Sequence, residues 1–306
     1  VADAIEPVLE ALLGEAPRPV RKPTLHTTRD IWQEAAALGS DRPAVVDGRR
    51  RMTYGQAHLA VERLAAGLHR AVNRPAPKVA VWLPNCLEYY LLYWAIQRLG
   101  GVVVPLNTWL KEDSLRGIFA NVQPDLLIVR SARDETVLRA AAEAPAVRIF
   151  ALETDRAGPP AYSQLLAGKG EAPTADLAAD ALSIIMHTSG TTAAPKGAMM
   201  RHSDLRFNLV ATINAQDFQP SDVHLLVNPM FHCTALYSSL PAAAYQKAPV
   251  VIVRSTSPEP LMETVQTERI TTFLSVPSVF QRILSLKNLA DYDASSLRLM
   301  AYAGSP

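Results

Sequence analysis

The chain has 306 residues, 49% of them apolar and 19% charged, with a formal net charge of +1. This balance supplies material for a buried core and excludes a disordered chain, and the near-neutral charge gives no electrostatic reason to expect nucleic acid as a partner. Length sets an expectation of about two compact units.

The two cysteines, Cys86 and Cys233, have neither metal-ligand spacing nor a disulfide framework, which predicts reduced thiols in a cytoplasmic protein. No apolar run approaches the ~18 residues of a membrane span, and the first residues are acidic where a signal peptide carries basic ones.

In chain order, residues 3–13 have the spacing of a short amphipathic helix stopped by Gly14, and Pro17, Pro19 and Pro23 then make an extended linker. Ala44–Val46 and Arg50–Thr53 flank Asp47-Gly48, a hairpin signal, so Arg49-Arg50-Arg51 reads as a solvated hairpin edge. Thr53 and Gln56 form a capping box for a helix whose Val61, Leu64, Ala65 and Leu68 mark one buried face. From Val79 onward, short apolar runs (79–83, 102–105, 126–129, 147–152) alternate with helical segments (87–99, 112–121, 134–144). That alternation predicts an α/β fold with a parallel sheet covered on both faces. The Gly- and Pro-containing stretch 157–175 is the expected internal boundary. Beyond it, Leu182–Met186, Val223–Val227, Val250–Val253, Thr272–Leu274 and Leu297–Tyr302 read as strands of a second α/β layer. The expected organisation is an N-terminal helix and linker over 1–24, a first subdomain over 25–175 and a second over 176–306.

The run with the most chemistry is Thr188-Ser189-Gly190-Thr191-Thr192-Ala193-Ala194-Pro195-Lys196-Gly197. Apolar residues on both sides predict strand, loop, strand. Backbone N–H groups, hydroxyl donors and one lysine suit a partner with many acceptor oxygens, best of all a polyphosphate. A P-loop is excluded, because it needs glycine before the lysine and Ser or Thr after it, whereas Pro195 and Gly197 flank Lys196. A solvated surface loop is the alternative reading of the same composition.

The run resembles the phosphate-binding signature T-S-G-T-T-G-x-P-K-G of the adenylate-forming (AMP-binding) superfamily, which includes acyl-CoA synthetases, aryl-CoA ligases, firefly-type luciferases and peptide-synthetase adenylation domains. Every fixed position matches except Ala193, which stands in for glycine. Further matches follow in order: Met52-Thr53-Tyr54-Gly55-Gln56, Leu83-Pro84-Asn85, Gly100-Gly101, Val104-Pro105-Leu106-Asn107, Pro229-Met230-Phe231-His232, Val276-Pro277 and Ala303-Gly304-Ser305-Pro306. The resemblance runs from about Leu25 to Pro306.

It implies a layered αβαβα N-terminal domain with two mostly parallel sheets packed with helices, incomplete at its C-terminal end, the family's C-terminal lid domain lying outside these residues. It also implies a reaction. A small-molecule carboxylic acid attacks Mg-ATP to give an acyl-adenylate, and coenzyme A then displaces AMP. ATP, Mg2+ and coenzyme A are the implied cofactors.

By the same resemblance Thr188, Ser189, Gly190, Thr191, Thr192 and Lys196 would hold the phosphates, with Gly304, Ser305 and Pro306 beside the adenine. Thr191, Lys196 and His232 would act in catalysis, and Phe231, His232, Cys233, Val276 and Pro277 in the acyl site. Amino-acid-adenylating relatives carry an aspartate where His232 stands, so the expected acid has no α-amino group. His187 is expected to be a buried strand residue without a chemical role. A carrier-protein thiol as acceptor, a non-catalytic nucleotide- or acyl-binding module, and a homo-oligomer remain open at this point.

Overall fold

Two six-stranded sheets carry the fold, in a computed structural model that describes residues 25–144, 146–154, 158–167, 171–174, 176–188 and 196–304. The first sheet has the order β12 (Leu299–Tyr302), β11 (Thr272–Ser275), β9 (His224–Leu226), β10 (Val250–Ile252), β1 (Pro43–Asp47), β2 (Arg50–Thr53). The second runs β6 (Arg148–Glu153), β5 (Leu126–Ser131), β3 (Lys78–Trp82), β4 (Val102–Pro105), β7 (Leu182–Thr188), β8 (Lys196–Arg201). Neighbouring strands are parallel except at one edge of each sheet, where β2 and β8 are antiparallel.

Alternation along the strands assigns the layers. Val45, Val79, Val81, Val103 and Ile184 face a shared interior, where helices α1 (Thr28–Leu38), α2 (Tyr54–Val72) and α3 (Leu87–Arg98) lie between the sheets. Their neighbours Ala80, Val104, Leu127 and Val129 point the other way, onto α4 (Glu112–Val122) and α5 (Glu135–Ala142). On the outer face of the first sheet Val46, Leu225, Val251 and Phe273 meet the helices Pro258–Thr267 and Pro277–Leu284. The layers are therefore α, β, α, β, α. Helix α3, covered by both sheets, is buried all round apart from Glu88, and its Trp94 stacks on Trp32 of α1 with ring centroids 4.7 Å apart.

Local signals match what they build. Gly48 takes φ +61° in the hairpin turn. The Thr53–Gln56 capping box is present, with Gln56 N–H donating to Thr53 Oγ1 at 3.2 Å and Thr53 N–H to Gln56 Oε1 at 2.9 Å. The arginines beside the hairpin are paired, Arg50 with Asp47 and Glu88, and Arg51 with Glu268.

The assignment of strands to layers differs from the sequence expectation. Strands β7 and β8, which flank the phosphate-loop run, complete the sheet of β3–β6, with Val103 opposite Ile184. The early hairpin β1–β2 crosses to the other sheet, pairing Val45 with Val250. Residue 175 therefore does not separate the two sheets. The physical reason is that a short apolar strand is equally at home in either sheet, and its partner is chosen by packing over long sequence distances. The helix expected over 3–13 lies outside the described residues.

Candidate active site

A cavity of about 620 Å³ opens where the carboxyl ends of strands from both sheets meet. Open α/β sheets commonly bind ligands at these ends. One wall comes from the second sheet: Pro84 and Asn85 after β3, then Asn107, Thr108 and Trp109 after β4. The opposite wall comes from the first: Asn228, Pro229, Phe231 and His232 after β9, Ser275 and Val276 at the end of β11, and Tyr302 to Gly304 at the end of β12.

Asn85 is the fastener between these walls. Buried at 7% exposure, it donates through Nδ2 to the carbonyls of Asn228 (2.9 Å) and Val253 (3.3 Å), and accepts at Oδ1 from Met230 N–H (2.7 Å). Asn228 extends the link by donating to the Leu274 carbonyl at 2.9 Å. The turn bearing Phe231 and His232 is thus tied to both sheets, and His232 N–H closes it onto the Pro229 carbonyl at 2.9 Å.

His232 presents an exposed ring on the cavity. Its Nδ1 lies 3.4 Å from Cys233 Sγ. That contact raises the histidine's pKa and lowers the thiol's, the hydrogen bond between them being the largest cause in each case. Cys86 is the contrast: buried in the core, its thiol is pushed up to about 12 by desolvation. Cys233 directly precedes a π-helical turn (Thr234–Ser239) that runs into the helix Leu240–Gln246, an irregularity frequent at functional sites.

No Asp or Glu lines the cavity among the described residues, whereas Arg254 and Arg282 do. Buried Asp47 takes the charge of Arg254 at 2.7 Å and also accepts from Leu87 N–H at 3.0 Å.

The predicted site residues divide into three groups. Phe231, His232, Val276 and Gly304 line the cavity together. Gly304 has φ +83°, a left-handed conformation that favours glycine. Cys233 sits half-buried beside the cavity, and Pro277 opens the helix behind Val276. Thr188 closes β7 in register with an exposed Lys196 that opens β8, so the two expected strands form an antiparallel pair. Ser189, Gly190, Thr191, Thr192, Ser305 and Pro306 lie outside the described residues.

His187 is half-buried on β7, and burial lowers its pKa. Its ring nitrogens find no partner among the described residues. It faces Gly197, where a Cβ would come within 2.8 Å of Ile185 Cγ2 and 3.2 Å of His187 Nε2. The glycine after Lys196 therefore answers a packing need.

Sequence reasoning missed the roles of Asn85, Trp109 and Arg254. Asn85 stood in a quoted motif, but its partners lie more than 140 positions away. Nothing in the sequence distinguishes the one exposed tryptophan from the three buried ones.

The fold and cavity define an adenylate-forming type of N-terminal domain, and comparison with known proteins agrees. The family model of the AMP-binding enzymes matches residues 32–306, and the chain belongs to that family. It is 31% identical over 271 residues to a feruloyl-CoA synthase of Amycolatopsis sp, covering 89% of this chain and 53% of that protein. It is 28% identical over 280 residues to 4-coumarate-CoA ligase 1 of Narcissus pseudonarcissus, covering 87% and 50%. Among solved structures, the anthranilate CoA ligase AuaEII in complex with anthranoyl-AMP superposes with a TM-score of 0.84 at 22% identity, covering 92% of this chain and 56% of that one. The N-terminal domain of FACL13 from Mycobacterium tuberculosis gives 0.83 at 23% identity, covering 92% and 71%. At these identities the structural likeness carries the fold. The chain spans about half the length of the curated relatives it matches.

Proposed function

We propose that the protein is an acid–thiol ligase, which activates a carboxylic acid as its acyl-adenylate at the expense of ATP and passes the acyl group to coenzyme A. The observation that supports this reading is the pairing of Thr188 with Lys196, the two described ends of the phosphate-loop run. They belong to β7 and β8, and β7 ends at the same edge of the sheet as β4, whose following residues wall the cavity that holds His232.

In this reading the run Thr188 to Lys196 holds the triphosphate, offsetting the repulsion between two anions and charge on the departing pyrophosphate. Mg2+ would be carried chiefly by the nucleotide's own phosphate oxygens with few protein ligands. Among the described residues no three His, Cys, Asp or Glu side chains form a metal-binding group. Gly304, which lines the cavity, is assigned to the adenine together with Ser305 and Pro306, the residues that follow it in the sequence. The His232 ring orients the acid's carboxylate by donating a hydrogen bond. Val276, Val279, Leu274 and Phe231 give the acyl site apolar walls, and Cys233 and Pro277 support it from behind.

The substrate is an acid without an α-amino group. An ammonium would meet Arg282 and no carboxylate among the described lining residues, Arg254 being already paired with Asp47, an arrangement that penalises a buried cation. The names of the relatives weight the choice toward an aromatic acid. No helix among the described residues is long and apolar enough to cross a membrane.

Acid-dependent ATP–pyrophosphate exchange, run without coenzyme A on aliphatic, aromatic and amino acids, tests the proposal. Exchange is expected with aromatic acids and not with amino acids. ATP binding with no exchange for any acid would instead mark a nucleotide-binding module.

A further inference from the structure

The two cysteines sit in opposite surroundings. Cys86 is 4% exposed inside the hydrophobic core, where a thiol packs as a small apolar group. Cys233 is half-buried, and polar groups converge on its sulfur. His232 Nδ1 lies 3.4 Å from Sγ and Thr234 Oγ1 lies 4.0 Å from it, and both of these residues line the active-site cavity. The hydroxyl of Tyr237, four residues on, is a third hydrogen-bond partner. Burial first, then the neighbouring sulfur, push Tyr237 up to about 12, so this hydroxyl stays a donor.

Backbone bonds hold the cluster in place. Leu236 N–H donates to the His232 carbonyl at 3.0 Å, and Ser239 Oγ donates to the Thr234 carbonyl at 2.8 Å across the π-helical turn. Asn85 fixes the other side through Met230 N–H. Thr234 N–H points at His232 Nδ1 from 3.4 Å, which marks that nitrogen as an acceptor able to take the thiol's proton. A sulfur that only filled space would need none of these partners. Donors around it favour the thiolate, which is the nucleophilic form.

We propose that Cys233 is a site of reversible oxidation by hydroperoxides, and that its sulfenate captures the His232 ring and so withdraws the donor that orients the acid. The second half rests on the acid–thiol ligase reading above; the first does not. In the step itself the thiolate attacks one peroxide oxygen. A sulfur–oxygen bond forms, the oxygen–oxygen bond breaks, and the departing hydroxide takes up a proton to become water. Sulfur is oxidised by two electrons and the peroxide is reduced. The new charged oxygen accepts from the imidazole more strongly than sulfur does. The other cysteine, Cys86, is buried in the core, so no second thiol stands ready to form an internal disulfide. A dithiol reverses the step: its first sulfur displaces the sulfenic oxygen as water, and its second closes the reagent's own disulfide and frees Cys233.

The test treats the complete protein with hydrogen peroxide and dimedone, which traps sulfenic acids, and reads the labelled residue by peptide mass spectrometry. Label is expected on Cys233 and not on Cys86. Removing one partner of the sulfur, in Tyr237→Phe or His232→Gln, should slow labelling about threefold to tenfold, the worth of one hydrogen bond. Without dimedone, peroxide should raise the KM for the acid in pyrophosphate exchange about tenfold, as loss of a bond to a charged group does, and dithiothreitol should restore it. In Cys233→Ser the KM for the acid should be the same with and without peroxide.

Proton NMR supplies a readout free of turnover. The His232 ring signals, identified by their loss in His232→Gln, should move on oxidation and return with dithiothreitol. Label on Cys86 alone or on neither cysteine overturns the assignment, as does a labelling rate that both variants leave unchanged. Ring signals or an acid KM that stay put while Cys233 is fully oxidised overturn the capture of His232. If the wild-type protein exchanges pyrophosphate with no acid, the ligase reading fails separately, and the labelling and ring signals still decide whether Cys233 oxidises and binds His232.

Discussion

Replacing Asn85 by alanine should loosen the site and the fold together, and the size of the effect can be worked out from its partners. The substitution removes the two N–H donors shared by the Asn228, Val253 and, at 3.5 Å, Leu226 carbonyls, and one bond accepted from Met230 N–H. Met230 is fully buried, so its N–H is left without a partner out of reach of bulk water. One orphaned buried donor costs about 1–3 kcal/mol, and each lost bond adds about 0.5–1.5 kcal/mol. The parts sum to about 2–6 kcal/mol, which lowers the melting temperature by about 3–10 °C in a protein of this size. Asn85→Asp should recover little, since it keeps an acceptor for Met230 but sets a carboxylate against two carbonyl oxygens. The assays are thermal unfolding of both variants and, beside it, the KM for the acid in pyrophosphate exchange, which should rise as the Phe231–His232 turn is released. A melting temperature within 1 °C of wild type together with an unchanged KM would refute the view that Asn85 fastens the two walls.

Three further outcomes are expected. Gly197→Ala should destabilise the protein by about 1–3 kcal/mol through overpacking against Ile185 and His187, read by denaturant unfolding; the double change Gly197→Ala with His187→Ala should recover part of that loss, and no recovery would mean the clash lies elsewhere. Iodoacetamide near neutral pH should alkylate Cys233 well before Cys86, because the imidazole of His232 favours the thiolate of one and burial suppresses that of the other. Peptide mass spectrometry reads the order, and His232→Ala should slow the reaction at Cys233. Stability should fall as pH drops from about 6.5 to about 4, since burial lowers His202 and His224 to about 4 while the unfolded chain takes up protons near 6.5. The unfolded state binds more protons in that window, so denaturant midpoints at pH 7 and pH 5 should differ; equal midpoints would contradict it.

Much of the layered fold was legible because parallel strands buried on both faces read as short wholly apolar runs between helical periods. Val79–Leu83 and Leu126–Val129 are examples, each found within a residue or two of its strand. The partners of each strand were not legible. Val45 pairs with Val250, and no local pattern announces a neighbour 205 positions away. The same limit applied at the site. Phe231, His232, Val276 and Gly304 came from a motif and meet on one cavity, whereas Asn85 acts through backbone groups, which every residue has. Trp109 was hidden for another reason: a tryptophan more often signals core, and only the three-dimensional arrangement shows which one stays in solvent.

The crossing of the β1–β2 hairpin also bears on synthesis. The second sheet holds all its strands once residue 201 has been made, but β1, which ends at Asp47, has its inner partner β10 only after residue 252. During that interval a hairpin with one bare strand waits beside a nearly finished neighbouring sheet, and the middle-layer helices are covered on one side only. Exposed strand edges and half-covered helices are the features that make growing chains aggregate. A nascent chain stalled between residues 201 and 250 should therefore be the form that most needs a chaperone.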